Sequence, residues 1–256
     1  MSRIFITGSS QGIGAECARQ LIALGHEVVL HGRDESRTAA ALAANPGAAA
    51  AVTGDLASVD QTTALAAAAN EQGPYDVVIH NAGLGGDAPE REVTADGIER
   101  IFQVNVVAPY LLTALMPVPR RAIYLTSGLE ADGRWNPYDV QGSTRDWNGM
   151  QAYSDSKMHL SMLAMEIAAR HPESAVNVVD PGWIRTNMGG PEAWDPVELG
   201  AETQVWLATS DEPAATASGR YLKRREELEP NPTVRDTDAR AALVYELIKL
   251  TGVPLA

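Results

Sequence analysis

The sequence predicts a doubly wound α/β domain, and three observations carry that expectation. Six short apolar, β-type runs recur along the chain, longer helical segments separate them, and the first run passes directly through a glycine-rich turn into the first helical segment. Apolar runs of this length alternating with helices are expected of parallel strands buried on both faces and joined by right-handed crossovers. At 256 residues the chain has room for one large α/β domain or two small ones. No repeat and no linker divides it, so a single domain over 1–256 is expected.

In chain order, the strand-like runs fall at 4–6, 28–30, 50–52, 77–79, 123–125 and 176–179. Helical segments are expected near 12–24, 58–71, 95–116, 151–170, 197–209 and 236–250. The Ala-rich stretches 38–44 and 65–69 resemble low complexity, yet they lie between strands and alanine is the strongest helix former, so they read as crossover helices. Two stretches resist the alternation: 128–150, rich in Gly, Asp, Trp and Asn, and 189–196. Both follow the C-terminal end of a strand, where open α/β sheets keep their ligands.

Composition narrows the function classes. Twenty Lys and Arg stand against 33 Asp and Glu, giving a formal charge of −13, and the only basic block is Lys223-Arg224-Arg225. That balance opposes nonspecific binding to nucleic acid or to an anionic membrane. The single Cys17 cannot form an intramolecular disulfide. Met1-Ser2-Arg3 leads at once into Ile4-Phe5-Ile6 in place of a long apolar leader, and the apolar stretch 106–119 is interrupted by Pro109, Pro117 and Pro119. A cytoplasmic setting without membrane insertion is expected.

An acidic chain that takes an anionic ligand needs a local exception, and 7–14 supplies one. Thr7-Gly8-Ser9-Ser10-Gln11-Gly12-Ile13-Gly14 links the first strand to the first helix. Glycines let the backbone approach a pyrophosphate, while a helix N-terminus offers free N–H groups and partial positive charge. A purely structural glycine-rich turn stays open on these residues alone. Where a free ribose 2′-OH is bound, an acidic side chain usually lies about 20 residues on, whereas a 2′-phosphate prefers Arg. Here the second strand ends Leu30-His31-Gly32-Arg33-Asp34. Gly32 holds the expected acidic place and Arg33 comes next, which favours NADP(H) and leaves NAD(H) possible. Asp34 is either a helix-cap acid or a ribose ligand that weakens that preference.

Tyr153 and Lys157 lie four residues apart on an expected helix and so project from one face. An ammonium near a phenol lowers its pKa toward that of a useful acid or base. Tyr-x-x-x-Lys alone is common by chance. The ordered set Thr7-Gly8-x-x-x-Gly12-Ile13-Gly14, Asp55-Leu56, Asn81-Ala82-Gly83, Asn105, Ser127, Tyr153-x-x-x-Lys157 and Pro181-Gly182-x-x-x-Thr186 is not. In order and spacing it resembles the short-chain dehydrogenases/reductases, over roughly 3–188. The tail, Gly219-Arg220-Tyr221-Leu222 and Glu229-Pro230-Asn231-Pro232, is similar to the retinol-dehydrogenase-like branch.

The resemblance implies a three-layer Rossmann fold with a mainly parallel sheet of about seven strands. It implies Tyr153 as the general acid in carbonyl reduction or the base in alcohol oxidation. Lys157 would lower the Tyr pKa and bond the nicotinamide ribose, Ser127 would donate to the substrate oxygen, and Asn105 would hold a water in a proton relay. For the cofactor it implies contacts from Gly8, Ser10, Gln11, Gly12, Ile13, Arg33, Asp55, Leu56, Asn81, Ala82, Gly83, Pro181, Gly182, Ile184 and Thr186, together with Tyr153 and Lys157. It also implies a homodimer or homotetramer built through the 95–116 and 151–170 helices.

Other candidates read as structure: Cys17 as a small buried thiol, the Met158, Met162 and Met165 series as core or interface, and His159 as exposed or interfacial. No metal site is expected. Ser127 and Tyr153 are 26 positions apart, about double the commonest family spacing. The added residues, 128–150, therefore either wall the substrate pocket with Trp135, Tyr138 and Trp147 or form a surface excursion that those aromatics pin down. The leading expectation is an NADP(H)-dependent oxidoreductase acting on a carbonyl or secondary alcohol. The alternatives are a catalytically silent NAD(P)-sensing protein, an NAD-dependent dehydrogenase, and a sugar-nucleotide epimerase, for which the chain lacks the usual length.

Overall fold

The computed structural model describes residues 1–255. In chain order the elements are β1 (Arg3–Ile6), α1 (Gly12–Ala23), β2 (Glu27–Gly32), α2 (Glu35–Ala44), β3 (Ala50–Thr53), α3 (Val59–Glu71) and β4 (Val77–His80). Next come α4 (Arg100–Phe102), a π-helical turn (Gln103–Val107), α5 (Ala108–Leu115), β5 (Arg121–Leu125), a 3-10 turn (Gly128–Asp132), α6 (Gly149–Arg170) and β6 (Ala175–Val179). The last are α7 (Val197–Thr209), α8 (Pro213–Thr216), β7 (Arg220–Lys223), β8 (Glu226–Glu227), α9 (Pro232–Arg235) and α10 (Thr237–Thr251).

One sheet of order β3-β2-β1-β4-β5-β6-β7-β8 forms the middle layer. Every pairing is parallel except β7 with β8, a two-residue antiparallel edge. Seven parallel strands therefore match the expected architecture, and β7 and β8 are the ones that apolar runs did not reveal. Alternation along each strand builds the two outer layers. Ile4 and Ile6 pack toward Cys17, Leu21 and Leu207 on the α1 and α7 side, whereas Phe5 packs with Leu65 and Leu112 on the α3 and α5 side.

The long helix expected at 95–116 begins only at Arg100. Gly97, with φ +77°, and the Val93–Glu99 bridge close a turn first, and the Glu99 carboxylate then accepts from the Ile101 and Phe102 amides. The path ends at Leu115 because Met116 is extended ahead of Pro117.

One further expectation changes, at His159. The 3-10 turn, α9 and α10 of the same chain pack on α6, the helix expected at 151–170. Met158, Met162, Leu163 and Met165 lie in the core with Leu243, Val244 and Leu247 of α10. His159 is likewise buried, 1 % exposed, with the edges of Phe102 and Trp135 packed around its ring.

The 128–150 segment is tied to the body at several points. Trp135 packs on the core, Trp147 Nε1 donates to the Ala88 carbonyl at 3.0 Å, and Arg145 pairs with the buried Asp155. Tyr138 stands in solvent at 96 % exposure. Two of the three aromatics therefore pin the segment, as the excursion reading requires. No helix among the described residues is long and apolar enough to cross a membrane.

Candidate active site

The C-terminal ends of β1, β2, β4 and β5 open on one cleft of about 250 Å³. The turn after β1 forms its floor. Gly8 and Gly12 have φ of +63° and +58°, and a Cβ at Gly8 would stand 2.9 Å from Ala82 Cα. Asn81 clasps this turn, its Nδ2 donating to the Thr7 and Gly8 carbonyls at 2.9 and 3.1 Å. The Asn81 and Ala82 amides donate to Thr7 Oγ1 at 3.0 and 3.1 Å.

α1 starts without a side-chain cap and without an acid in its first turn. By contrast Asp34, Ser58 and Asn148 cap α2, α3 and α6. An uncapped N-terminus facing a glycine-lined cleft is the arrangement an anionic group requires. Arg33 and Arg37 flank the same end, the latter donating to Gln11 Oε1 at 3.2 Å. Asp34 accepts from the Arg37 amide at 2.8 Å and is the cap of α2. The residues present thus fit a nicotinamide dinucleotide.

At the other end, Lys157 is buried and its Nζ donates to the Leu125 carbonyl at 2.8 Å. Burial pushes its pKa down to about 8. Tyr153 is half-buried, with Lys157 Nζ 5.7 Å from its ring centroid. Burial raises the phenol pKa, the Ser127 hydroxyl lowers it, and the negative Asp180 raises it again. The Lys157 ammonium bonds a strand carbonyl, and desolvation is the largest influence on the phenol.

Asn105 lies at an irregularity of its helix, as the family resemblance implies. It sits in the π-helical turn, where Oδ1 accepts from the Leu84 amide at 2.7 Å. Its Nδ2 donates to the Leu84 carbonyl at 3.0 Å and to Ser156 Oγ at 2.9 Å. These bonds fasten the segment after Gly83 to α6. Gly83 separates the two side chains, since a Cβ there would lie 3.2 Å from both Asn105 Oδ1 and Lys157 Nζ.

Of the expected site residues, Gly8, Ser10, Gln11, Gly12, Ile13, Arg33, Asp55, Leu56, Asn81, Ala82, Gly83, Tyr153, Lys157, Pro181 and Thr186 line the cleft. Ser127 follows Thr126, a lining residue, and is not itself one; its Oγ accepts from the Leu129 amide at 3.3 Å. Gly182 has φ +93°, and its amide donates to the Asp180 carboxylate at 2.9 Å. Ile184 is turned away: 4 % exposed, its side chain packs where a Cβ on Gly200 would meet it at 2.8 Å.

Sequence reasoning missed His31, Arg37, Leu84, Arg100, Val104, Asn187 and Met188, all of which line the cleft. Arg37 had a signal, because an acid at an N-cap places the residue three positions on beside it. Among the described residues no group of three or more His, Cys, Asp or Glu side chains is arranged to hold a metal.

The family model described as short chain dehydrogenase matches residues 2–119. Short-chain dehydrogenase chyC of Penicillium rubens is 36 % identical over 100 % of this chain and 99 % of its own. Retinol dehydrogenase 13 of Homo sapiens is 29 % identical over 98 % of this chain and 84 % of its own. Among solved structures, an uncharacterized protein from Mycobacterium paratuberculosis carries the same fold, with TM-score 0.86 and 23 % identity over 100 % of this chain and 95 % of that one. A blue fluorescent protein from a metagenomic library, solved in complex with NADPH, gives TM-score 0.69 and 28 % identity over 86 % of this chain and 95 % of that one.

Proposed function

The chain belongs to the short-chain dehydrogenase/reductase family of oxidoreductases, and from that premise we propose that it uses NADP(H) to interconvert a carbonyl and a secondary alcohol, with Tyr153 as general acid and base. One observation carries the reading. A single cleft leads from the Arg33 and Arg37 guanidinium groups, past the uncapped start of α1, to the Tyr153 and Lys157 pair.

When bound, the cofactor supplies or accepts the hydride. The chain's own residues do the rest. Arg33 and Arg37 would offer charge-assisted bonds to a 2′-phosphate, and the α1 amides would hold the pyrophosphate. Pro181 and Thr186 would hold the nicotinamide end, while Leu56 and Asp55 would cover the adenine end. Ser127 donates to the substrate oxygen, and Tyr153, whose phenol pKa burial raises, delivers a proton to that oxygen. Leu84, Val104 and Met188 make the nearby wall apolar, which suits an apolar or aromatic carbonyl.

The experiment is steady-state NADPH oxidation against a panel of aromatic and alicyclic ketones and aldehydes. Turnover with at least one member is expected. Tight NADPH binding with no turnover on any member would favour a sensor, and a tenfold preference for NADH would overturn the cofactor choice.

A further inference from the structure

The imidazole of His31 joins two loops that lie apart in the sequence and meet at the cleft. Its Nδ1 accepts from the Gly8 amide at 2.9 Å, and its Nε2 donates to the Gly54 carbonyl at 2.8 Å. The ring is 2 % exposed at the end of β2. An amide N–H can only donate and a carbonyl can only accept, so the two partners fix the neutral Nε2–H tautomer. Burial supports it by pushing the imidazole pKa below the usual histidine range, against opposing effects from the Gly54 carbonyl and Asp55. The backbone adds two more ties, from the Ser9 amide to the His31 carbonyl at 3.2 Å and from the His31 amide to Ser9 Oγ at 2.8 Å.

Each of the two partners opens a different turn of the cleft. Gly8 leads into Ser10, Gln11 and Gly12, the turn that would cradle a pyrophosphate, and Gly54 leads into Asp55 and Leu56, the turn that would cover an adenine. We propose that His31 is a positioning residue for the cofactor, its ring holding the phosphate turn and the adenine turn at a fixed separation through the Gly8 and Gly54 bonds. No other neutral side chain presents an acceptor and a donor on two edges of one rigid ring. This inference rests on reading the cleft as a dinucleotide site.

Two substitutions split the bridge. In His31→Asn the amide oxygen can occupy the Nδ1 place and keep the Gly8 bond, whereas His31→Gln reaches the Nε2 place and leaves the Gly8 amide without its partner. Each loses one of the two contacts, so the pair tests both ends of the bridge. Amide hydrogen exchange on the full chain should be several-fold faster in the 7–14 peptide of His31→Gln and in the 53–58 peptide of His31→Asn, with the other peptide of each variant near wild type. For NADPH, each variant should raise Kd and KM about tenfold, as expected for one unmet buried hydrogen bond, with kcat within about twofold. Wild-type NADPH binding in either variant, or wild-type exchange of the 7–14 peptide in His31→Gln, would overturn the proposal.

If the wild type binds neither NADPH nor NADH, the cofactor reading fails, and a tie measured by exchange alone no longer positions a cofactor, so the proposal falls with it. Wild-type binding with an unaltered His31→Gln leaves that reading intact and removes only the proposal. Should His31→Gln fail to fold, imidazole ¹⁵N shifts of the wild-type chain decide: the Nε2–H tautomer at neutral pH supports the bridge, and an Nδ1–H tautomer or an imidazolium overturns it.

Discussion

Lys157 stands over Tyr153, Nζ 5.7 Å from the ring centroid, yet its hydrogen bond goes to the Leu125 carbonyl at the end of β5. The ammonium is thus held by the sheet beside the phenol, whose pKa burial raises. This suits a proton donor in carbonyl reduction. Tyr153→Phe should lower kcat by roughly 100- to 10,000-fold, the range supplied by a positioned acid. NADPH affinity, measured by fluorescence titration, should change little. A variant retaining a tenth of the activity would show that another group donates the proton.

The depressed pKa of Lys157 gives a stability signature. A lysine in the unfolded chain titrates near 10.5, and here it titrates at about 8. Below about 8 both states hold the proton and the fold carries the cost of a buried charge. Between the two values only the unfolded chain holds it, so stability climbs with pH. Against Lys157→Met, which has no such proton, the wild type should gain up to about 3 kcal/mol across that window. Urea unfolding at matched pH values measures it, and a pH-independent difference would show that the side chain is not desolvated in solution.

The cofactor preference is expected to divide between two arginines. Arg33→Ala and Arg37→Ala should each raise KM for NADPH about 10- to 100-fold, the loss of one charge-assisted contact. KM for NADH, which lacks the 2′-phosphate, should stay within about threefold. Equal losses for both cofactors would mean that the side chains support the fold of the loop and do not read the phosphate.

The covering of α6 by the 3-10 turn, α9 and α10 leaves that helix without a free apolar face for a second copy. Light scattering on a sizing column should therefore give the chain mass of 27.3 kDa. A doubled or quadrupled mass would show that another surface carries the assembly.

Much of this arrangement was legible in the residues. Strands such as 77–79 and 176–179 are apolar throughout because both faces of a parallel sheet are buried, and that pattern needs no tertiary information. The Gly8 to Gly14 turn, Tyr153 and Lys157 were legible because their spacing is itself the geometry. What could not be read depended on partners far along the chain. Tyr221 belongs to a strand whose pairing with β6 is decided by register. The burial of His159 is not legible because its covering residue, Trp135, arrives from an irregular segment. The Leu125 carbonyl that accepts from Lys157 is a backbone group with no residue signature. His31 carried no pattern at all, since its two partners are backbone groups.

Asn231 lies about a hundred positions beyond the 3-10 turn that it secures. Its amide donates to the Glu130 carboxylate at 2.9 Å, and its Nδ2 donates to the Gly133 carbonyl at 3.0 Å. Ribosomes add roughly 5–20 residues per second, so on the order of 5–20 s separates the synthesis of Glu130 from that of Asn231. At the start of that interval Gly8 to Gly83 of the cleft have been made, whereas Tyr153, Lys157, Pro181 and Thr186 have not, and the turn capped by Ser127 stays without its clasp until the end. The surroundings of Ser127 are therefore the last part of the site to be secured, which makes the order of translation an order of assembly.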